Sequence, residues 1–111
     1  MDERTSDRLL DILEVADELA QVLSGCTAED FAADKVKQRV AERLLEIAGE
    51  AASGLRDDAV AAISADWGRL RKMRDLLAHA YHRVEVQPLW QAATKSLPTL
   101  AQAIRDAYPA L

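Results

Sequence analysis

The segment 73–83 places five side chains suited to phosphate and proton chemistry on one predicted helix. These side chains are Arg74, Asp75, His79, Tyr81 and His82. At ~100° per residue they fall on one arc of the helix. The opposite arc is apolar and is expected to face the core; it consists of Met73, Leu76, Leu77, Ala80 and Val84. An arginine guanidinium matches phosphate oxygens, and a histidine exchanges protons near neutral pH. The segment therefore predicts a site that binds and processes a phosphate group.

RNA cleavage without a metal needs the same kinds of side chain. A base activates the ribose 2′-hydroxyl, a cation stabilises the crowded phosphorane, and an acid protonates the leaving oxygen. Arg74 is the predicted cation, and His79 is the predicted general acid or base. Asp75 lies four residues before His79, so we expect its carboxylate to accept a hydrogen bond from the imidazole and orient it. Arg71 and His82 extend the polar arc and are predicted to bind the substrate.

One copy of this helix separates the two central residues. Arg74 and His79 are five positions apart, which is roughly 140° around the helix axis. A twofold dimer that brings two such helices together would form a cleft with two arginines and two histidines. We therefore expect the chain to act as a homodimer.

Other interpretations of these residues stay open at this point. His79 can be a surface histidine bonded to Asp75, and Tyr81 can be an interface aromatic with a solvated hydroxyl. The spacing of Asp75, His79 and His82 also suits a metal ion, but no second ligand cluster accompanies it, so we expect no metal and no cofactor. The helix can also belong to a module that binds a nucleotide or a partner without cleaving RNA, or to a purely structural helical dimer.

Basic charge is concentrated around the same segment. Residues 67–83 include five basic residues and one acid, a net charge of +4, whereas the rest of the chain holds 9 basic and 18 acidic residues, a net charge of −9. The overall net charge of −5 argues against indiscriminate coating of nucleic acid. The basic strip favours one defined anionic ligand, such as a short single-stranded RNA segment.

The composition favours one small helical domain in the cytoplasm. The chain has 111 residues, half of them hydrophobic and few aromatic, and is expected to form a single domain over 1–111. Cys26 is the single cysteine, so no disulfide can form within the chain, which fits a reducing compartment. No apolar run approaches the ~20 residues of a membrane span, and the charged N-terminus does not resemble a signal peptide.

Apolar residues recur at three- and four-residue steps over two long stretches, which predicts two amphipathic helices. The first spans 4–24 and ends at Gly25, and a capping box over 27–30 follows it. The second spans 34–53. Its predicted apolar stripe consists of Val36, Val40, Leu44, Ile47 or Ala48, and Ala51.

The second helix contains a glycine in its interior. Gly49 costs ~1 kcal/mol relative to alanine, which indicates the close approach of another helix. Glu50 follows it and is interpreted as structural, with a hydrogen bond inside the site as the alternative.

The C-terminal half predicts three further helical stretches. A short helix is expected over 57–64, and Asp66 is expected to cap the motif helix over 67–84. Pro88 lies near the first position of the next helix, and Pro98 is expected to kink or divide that helix. The elements together predict an all-α, up-and-down bundle of four to five helices.

The motif and the order of these segments resemble the HepT-like branch of the HEPN superfamily. Arg74, His79 and Tyr81 have the family's spacing, with four residues between the first two and one between the last two. Asp66 stands where family members often have proline, which affects how the motif helix begins. Similar segments extend over almost the whole chain, at 8–14, 27–31, 43–52, 67–79, 89–90 and 97–100.

The resemblance implies a fold, an activity and a form of control. It implies a helical bundle that dimerises along the motif helix, and a metal-independent endoribonuclease whose Arg74 and His79 meet at the dimer cleft. It also implies a toxin of a type II/VII-like toxin–antitoxin pair, whose antitoxin is a minimal nucleotidyltransferase that transfers AMP to Tyr81. Tyr81 lies roughly 20° from Arg74 in projection, so an attached nucleotide would compete with RNA phosphate for Arg74 and fill the space over Ala78.

Overall fold

The computed structural model of the chain describes residues 1–79 and 84–111, and every regular element within these ranges is helical. The elements are α1 (Glu3–Val22), α2 (Ala28–Ala32), α3 (Lys35–Ser53), α4 (Asp57–Ala62), α5 (Trp67–His79), α6 (Val86–Gln91), a π-helical segment (Ala92–Ser96) and α7 (Leu97–Ala107). Helix α3 packs against both α1 and α5, and the elements after α5 close the bundle against all three. The predicted all-α bundle is confirmed. None of these helices is both long and apolar enough to cross a membrane.

Short polar side chains fix the starts of α2 and α3. Thr27 and Asp30 exchange side-chain-to-backbone hydrogen bonds of 3.1 Å, which confirms the predicted capping box. These bonds from Thr27 lower the pKa of the Asp30 carboxyl, because they stabilise its charged form. Asp34 Oδ1 accepts a 3.1 Å bond from the backbone N–H of Lys37 and caps α3. Gly25, with φ of 73°, lies just after α1 and lets the chain turn there.

The buried face of α3 is made mostly of alanine and differs from the predicted stripe. Its fully buried apolar residues are Ala41, Leu45, Ala48 and Ala52. Val36 is 73% exposed and Val40 is partly exposed, so the first two positions of the predicted stripe were wrong. The physical reason is that α3 has helices on two sides, and helices approach closely only over small side chains.

Helix α5 is rotated relative to the prediction. It contacts the core through Trp67, Leu70, Met73 and Leu77. Leu76, which was expected among the apolar residues facing the core, is 37% exposed. Two large side chains near the start of the helix, Trp67 and Leu70, lie on the Arg74 side of the predicted apolar arc, and their burial turns that side inward. The predicted end of this helix near Val84 is not confirmed: Val84 is not helical, and residues 80–83 lie outside the described ranges.

Helices α3 and α5 come together at Gly49. A Cβ atom added to Gly49 would overlap the Cβ of Arg74 and would lie only 2.7 Å from its Cγ. Any larger residue would therefore collide with the motif arginine. The close approach of another helix, predicted from this glycine, is confirmed.

Two prolines shape the C-terminal helices. Pro88 is the third residue of α6 rather than the first, and its missing N–H is harmless because the first turn of a helix has no acceptor for it. Pro98 is the second residue of α7, so the carbonyl of Thr94 gains no hydrogen bond from it. The chain adopts a wider π-helical turn just before this point. Pro98 was expected to kink or divide the helix, and the structure instead keeps helical backbone angles through Ser96 and Leu97 while the pattern changes from π-helix to α-helix.

Replacing Gly49 with alanine tests the contact between α3 and α5. We expect Gly49→Ala to lower the free energy of unfolding by about 1–3 kcal/mol, because the new methyl group overlaps the Arg74 side chain. The measurement is urea denaturation followed by circular dichroism.

Gly68, in the first turn of α5, provides the matched control. A Cβ atom there would contact only Asp66 Oδ1, at an ordinary 3.5 Å. Gly68→Ala should therefore stabilise the fold by up to about 1 kcal/mol, because alanine favours helix more than glycine does. Equal stabilisation by both substitutions would contradict the close approach of the two helices.

Candidate active site

Two hydrogen bonds fix the start of the motif helix. The backbone N–H of Arg69 donates to Asp66 Oδ1 at 3.2 Å, which confirms the predicted cap. The indole N–H of the buried Trp67 donates to the carbonyl of Ile63 at 3.3 Å. Because Trp67 is anchored in the core, the rotation of α5 is set, and with it the direction of the residues that follow.

Arg74 lies on the flank of α5 that faces α3. Its side chain is only 28% exposed, since its base packs over Gly49. The guanidinium extends from this contact to the surface of the bundle. The side chain is therefore held at its base by packing, whereas its charged end is accessible.

Two carboxylates hold the guanidinium of Arg74. Its Nε donates to Glu50 Oε1 at 3.0 Å, and its Nη2 lies 2.9 Å from the same oxygen. Its Nη1 donates to Asp75 Oδ1 at 2.9 Å. The hydrogen bonds from Asp75 and from Glu50 raise the pKa of Arg74, because both carboxylates stabilise the cation. The arginine therefore keeps its positive charge, and its plane is held from two sides.

Glu50 is part of this site, whereas the sequence had left its role undecided. It lies 24 residues before Arg74, on another helix, and was interpreted as structural. The structure supports the alternative, a hydrogen bond within the site. The signal in the sequence was its position next to Gly49, because a residue beside a close helix contact can reach the neighbouring helix.

Asp75 contacts a different residue from the one expected. The sequence predicted that it would orient His79, but its carboxylate accepts its hydrogen bond from Arg74. Within the described ranges, no hydrogen bond joins Asp75 to His79. An arginine is always charged, whereas a neutral imidazole offers only a weaker donor, so the carboxylate pairs with the guanidinium.

His79 is exposed at the last described position of α5. It lies five residues from Arg74, and no contact between the two side chains is formed within the described part of the chain. A single copy of the chain therefore does not bring the predicted catalytic pair together.

The exposed side of α5 retains positive charge besides Arg74. Arg71 is partly buried and Lys72 is exposed, and within the described ranges neither forms an ion pair. Arg69 differs, because its Nε lies 3.1 Å from a carboxylate oxygen of Asp66. The predicted substrate-binding residue Arg71 is therefore available to an anion.

Two of the predicted site residues, Tyr81 and His82, lie outside the described ranges. Among the residues that the structure describes, no three His, Cys, Asp or Glu side chains group as they would around a metal ion. The alternative metal set included His82, so it too falls partly outside these ranges.

Comparison with known proteins identifies the family. Residues 12–107 match the family described as "Ribonuclease HepT-like". A protein of Thermococcus cleftensis named "Probable ribonuclease HepT" is 35% identical over 95 residues, which are 85% of this chain and 86% of the relative. A "Putative RNase" of Caldanaerobacter subterraneus subsp. tengcongensis is 32% identical over 96 residues, 86% of each chain.

A third relative, a "Putative RNase" of Methanocaldococcus jannaschii, is 27% identical over 99 residues, which are 88% of this chain and 82% of the relative. No solved structure matches the chain. The family match extends from within α1 to the end of α7 and includes Glu50, Arg74 and His79. The chain therefore belongs to the HepT-like ribonuclease family.

Proposed function

We propose that this protein is a metal-independent endoribonuclease whose active site is completed at a twofold dimer cleft. The observation that carries the proposal is the fixed guanidinium of Arg74, held by Glu50 and Asp75 on the same helix as the exposed His79. A fixed cation and an imidazole that exchanges protons are the minimum that cleavage of the RNA backbone without a metal requires. Relatives named as ribonucleases support the same activity.

The proposed reaction needs no group from outside the chain. An imidazole removes the proton from the ribose 2′-hydroxyl, and the 2′-oxygen attacks the adjacent phosphorus. Arg74 stabilises the negative charge of the phosphorane. The bond from phosphorus to the 5′-oxygen breaks as an imidazolium protonates that oxygen, leaving a 2′,3′-cyclic phosphate and a 5′-hydroxyl. Arg71 and His82 bind the flanking backbone, and Asp75 supports Arg74.

Two features favour a dimer: the reaction needs both a base and an acid, and Arg74 and His79 point in different directions on one helix. His79 serves as base in one copy and as acid in the other, so a cleft with two copies supplies both functions. Arg74 and His79 lie roughly 140° apart on α5, and a twofold axis along that helix allows the arginine of one chain to face the histidine of its partner.

The same family relation supports a regulatory role. We propose that the protein is the toxin of a toxin–antitoxin pair, and that a minimal nucleotidyltransferase antitoxin inhibits it by transferring AMP to Tyr81. A phosphate attached at this position adds negative charge near Arg74, where it competes with the RNA backbone.

Cleavage of single-stranded RNA in the presence of EDTA is the direct test of the activity. We expect Arg74→Ala to reduce the rate about 100- to 1000-fold, because the phosphorane loses its cation. We expect His79→Ala to reduce it about 100- to 10,000-fold, because proton transfer is lost. The matched control is Arg43→Ala, which removes an exposed arginine that pairs with Glu46 on α3.

The outcomes of this experiment separate the candidate functions. Activity that disappears with EDTA would contradict a metal-independent reaction. Binding of RNA without cleavage would favour the alternative, a non-catalytic module that holds a nucleotide or a partner. An unchanged rate in Arg74→Ala would overturn the site itself.

Mixing two inactive variants tests the composite cleft. Arg74→Ala retains His79, and His79→Ala retains Arg74, so a mixed dimer has one of each in its cleft. We expect mixing, with subunit exchange, to restore part of the cleavage activity, because the mixed cleft regains both the cation and one of the two proton-transfer groups, whereas each variant alone lacks one residue type entirely. Analytical ultracentrifugation should show dimers for both variants. A monomer that cleaves RNA at the full rate, or a mixture that stays inactive although subunits exchange, would contradict pooling of residues between copies.

Mass spectrometry after co-expression with the nucleotidyltransferase tests the regulation. The wild-type chain should gain the mass of one or more AMP units and lose its RNase activity, and Tyr81→Phe should gain none. The matched control is Tyr108→Phe, since Tyr108 is the other tyrosine of the chain and should not affect the modification. An equal gain of mass in Tyr81→Phe would place the modification elsewhere.

A further inference from the structure

We infer that Glu50 is a positioning residue for Arg74, and that it fixes the guanidinium at the expense of RNA affinity. The inference rests on the proposed function, because it assigns Arg74 to the phosphorane. It adds a residue of α3 to a site whose other proposed members lie on or just after α5.

The contact between Glu50 and Arg74 is specific in its geometry. Glu50 Oε1 faces the Nε and Nη2 edge of the guanidinium, at 3.0 and 2.9 Å. Asp75 takes one donor of Nη1 from the other side. A guanidinium has five N–H donors, so each terminal nitrogen, Nη1 and Nη2, retains at least one that these two carboxylates do not require. Two such donors suit two oxygens of one phosphate.

Glu50 and Asp75 differ in what they can fix. Asp75 is the next residue on the same helix as Arg74, so it moves with the arginine. Glu50 belongs to α3, and the adjacent Gly49 holds α3 against the base of the Arg74 side chain. Glu50 therefore ties the guanidinium to a second rigid element, which is what fixes its direction relative to the bundle.

Folding stability does not explain this ion pair. The Glu50 side chain is 55% exposed, and exposed ion pairs contribute little to the stability of a protein. A purely structural role would therefore predict almost no effect of its removal. An effect on the reaction would have to come from the orientation of Arg74.

The carboxylates of Glu50 and Asp75 also reduce the electrostatic attraction of the site for RNA. One guanidinium between two carboxylates leaves a net charge of −1 at the point where a phosphate is proposed to bind. Arg71 and Lys72, which form no ion pair within the described ranges, supply the compensating positive charge nearby. Removal of the Glu50 charge should therefore strengthen RNA binding. Removal of the whole Glu50 side chain should in addition release the orientation of the Arg74 guanidinium.

Two substitutions of Glu50 separate charge from orientation. Glu50→Gln removes the charge but keeps an oxygen that can accept from Nε, whereas Glu50→Ala removes both. We expect both variants to lower KM about fivefold at low salt, an effect that weakens as salt is added. We expect kcat to fall about 10- to 100-fold in Glu50→Ala and to stay within about threefold of wild type in Glu50→Gln.

Glu42→Gln is the matched control on the same helix. Glu42 pairs with Arg39 at 2.8 Å, two turns before Glu50, so its substitution makes the same charge change away from Arg74. We expect little change in kcat or KM. An unchanged kcat in Glu50→Ala, or an equal loss in Glu50→Gln and Glu50→Ala, would overturn the positioning role.

Nuclear magnetic resonance gives a readout that does not depend on cleavage. The Nε–H signal of Arg74, assigned by its loss in Arg74→Lys, should shift and exchange faster with water in Glu50→Ala, but not in Glu42→Gln. An Arg74 signal that is unchanged in Glu50→Ala would overturn this inference even if the protein cleaves RNA. A protein that shows the expected signals but cleaves no RNA would instead overturn the proposed function. Circular dichroism confirms that each variant is folded.

Discussion

The position of Arg74 depends on the contact between α3 and α5 at Gly49. With no side chain at that position, the two helices approach until the backbone of α3 touches the Cβ and Cγ of the arginine. This contact already orders the first half of the long Arg74 side chain. Holding its charged end therefore costs less additional conformational entropy than it would for a fully mobile arginine. Glu50 then needs to orient only the guanidinium. A glycine and the glutamate that follows it therefore determine where the cation of the proposed active site lies.

Orientation and affinity oppose each other at this site. Glu50 and Asp75 hold Arg74 in place, and in doing so they outweigh its positive charge. Under the proposed function, RNA would be attracted mainly by the neighbouring Arg71 and Lys72, while the rest of the chain outside 67–83 carries a net charge of −9. Such a distribution suits a short RNA segment at one place on the surface, because binding to a long polyanion needs many phosphate contacts. The acidic charge of the rest of the chain would confine the proposed contact with RNA to the strip around α5.

The helices could be predicted from local signals, but the side-chain pairs could not. The capping box at Thr27 and Asp30 and the cap at Asp66 each depend on chemistry within a few residues, and both were found from the sequence. The buried face of α3 was misplaced because it depends on which neighbours surround that helix. Similarly, the i,i+4 spacing suggested that Asp75 would bind His79, whereas its carboxylate accepts a hydrogen bond from Arg74. The contact from Glu50 to Arg74 spans 24 residues, so it follows only once the packing of α3 and α5 is known.

The directions of Arg74 and His79 on α5 are the reason for proposing that two chains share one active site. Arg74 is bonded to Glu50 on the flank that faces α3, whereas His79 is exposed at the end of the helix. Leu76, one turn before His79, is 37% exposed on the same side, where an apolar side chain gains from burial against another protein surface. A second copy packed on this side would cover Leu76 and bring its own arginine towards His79. Under the proposed mechanism, the contact with Glu50 that holds Arg74 on the α3 side of the helix is therefore the constraint that a partner chain would overcome.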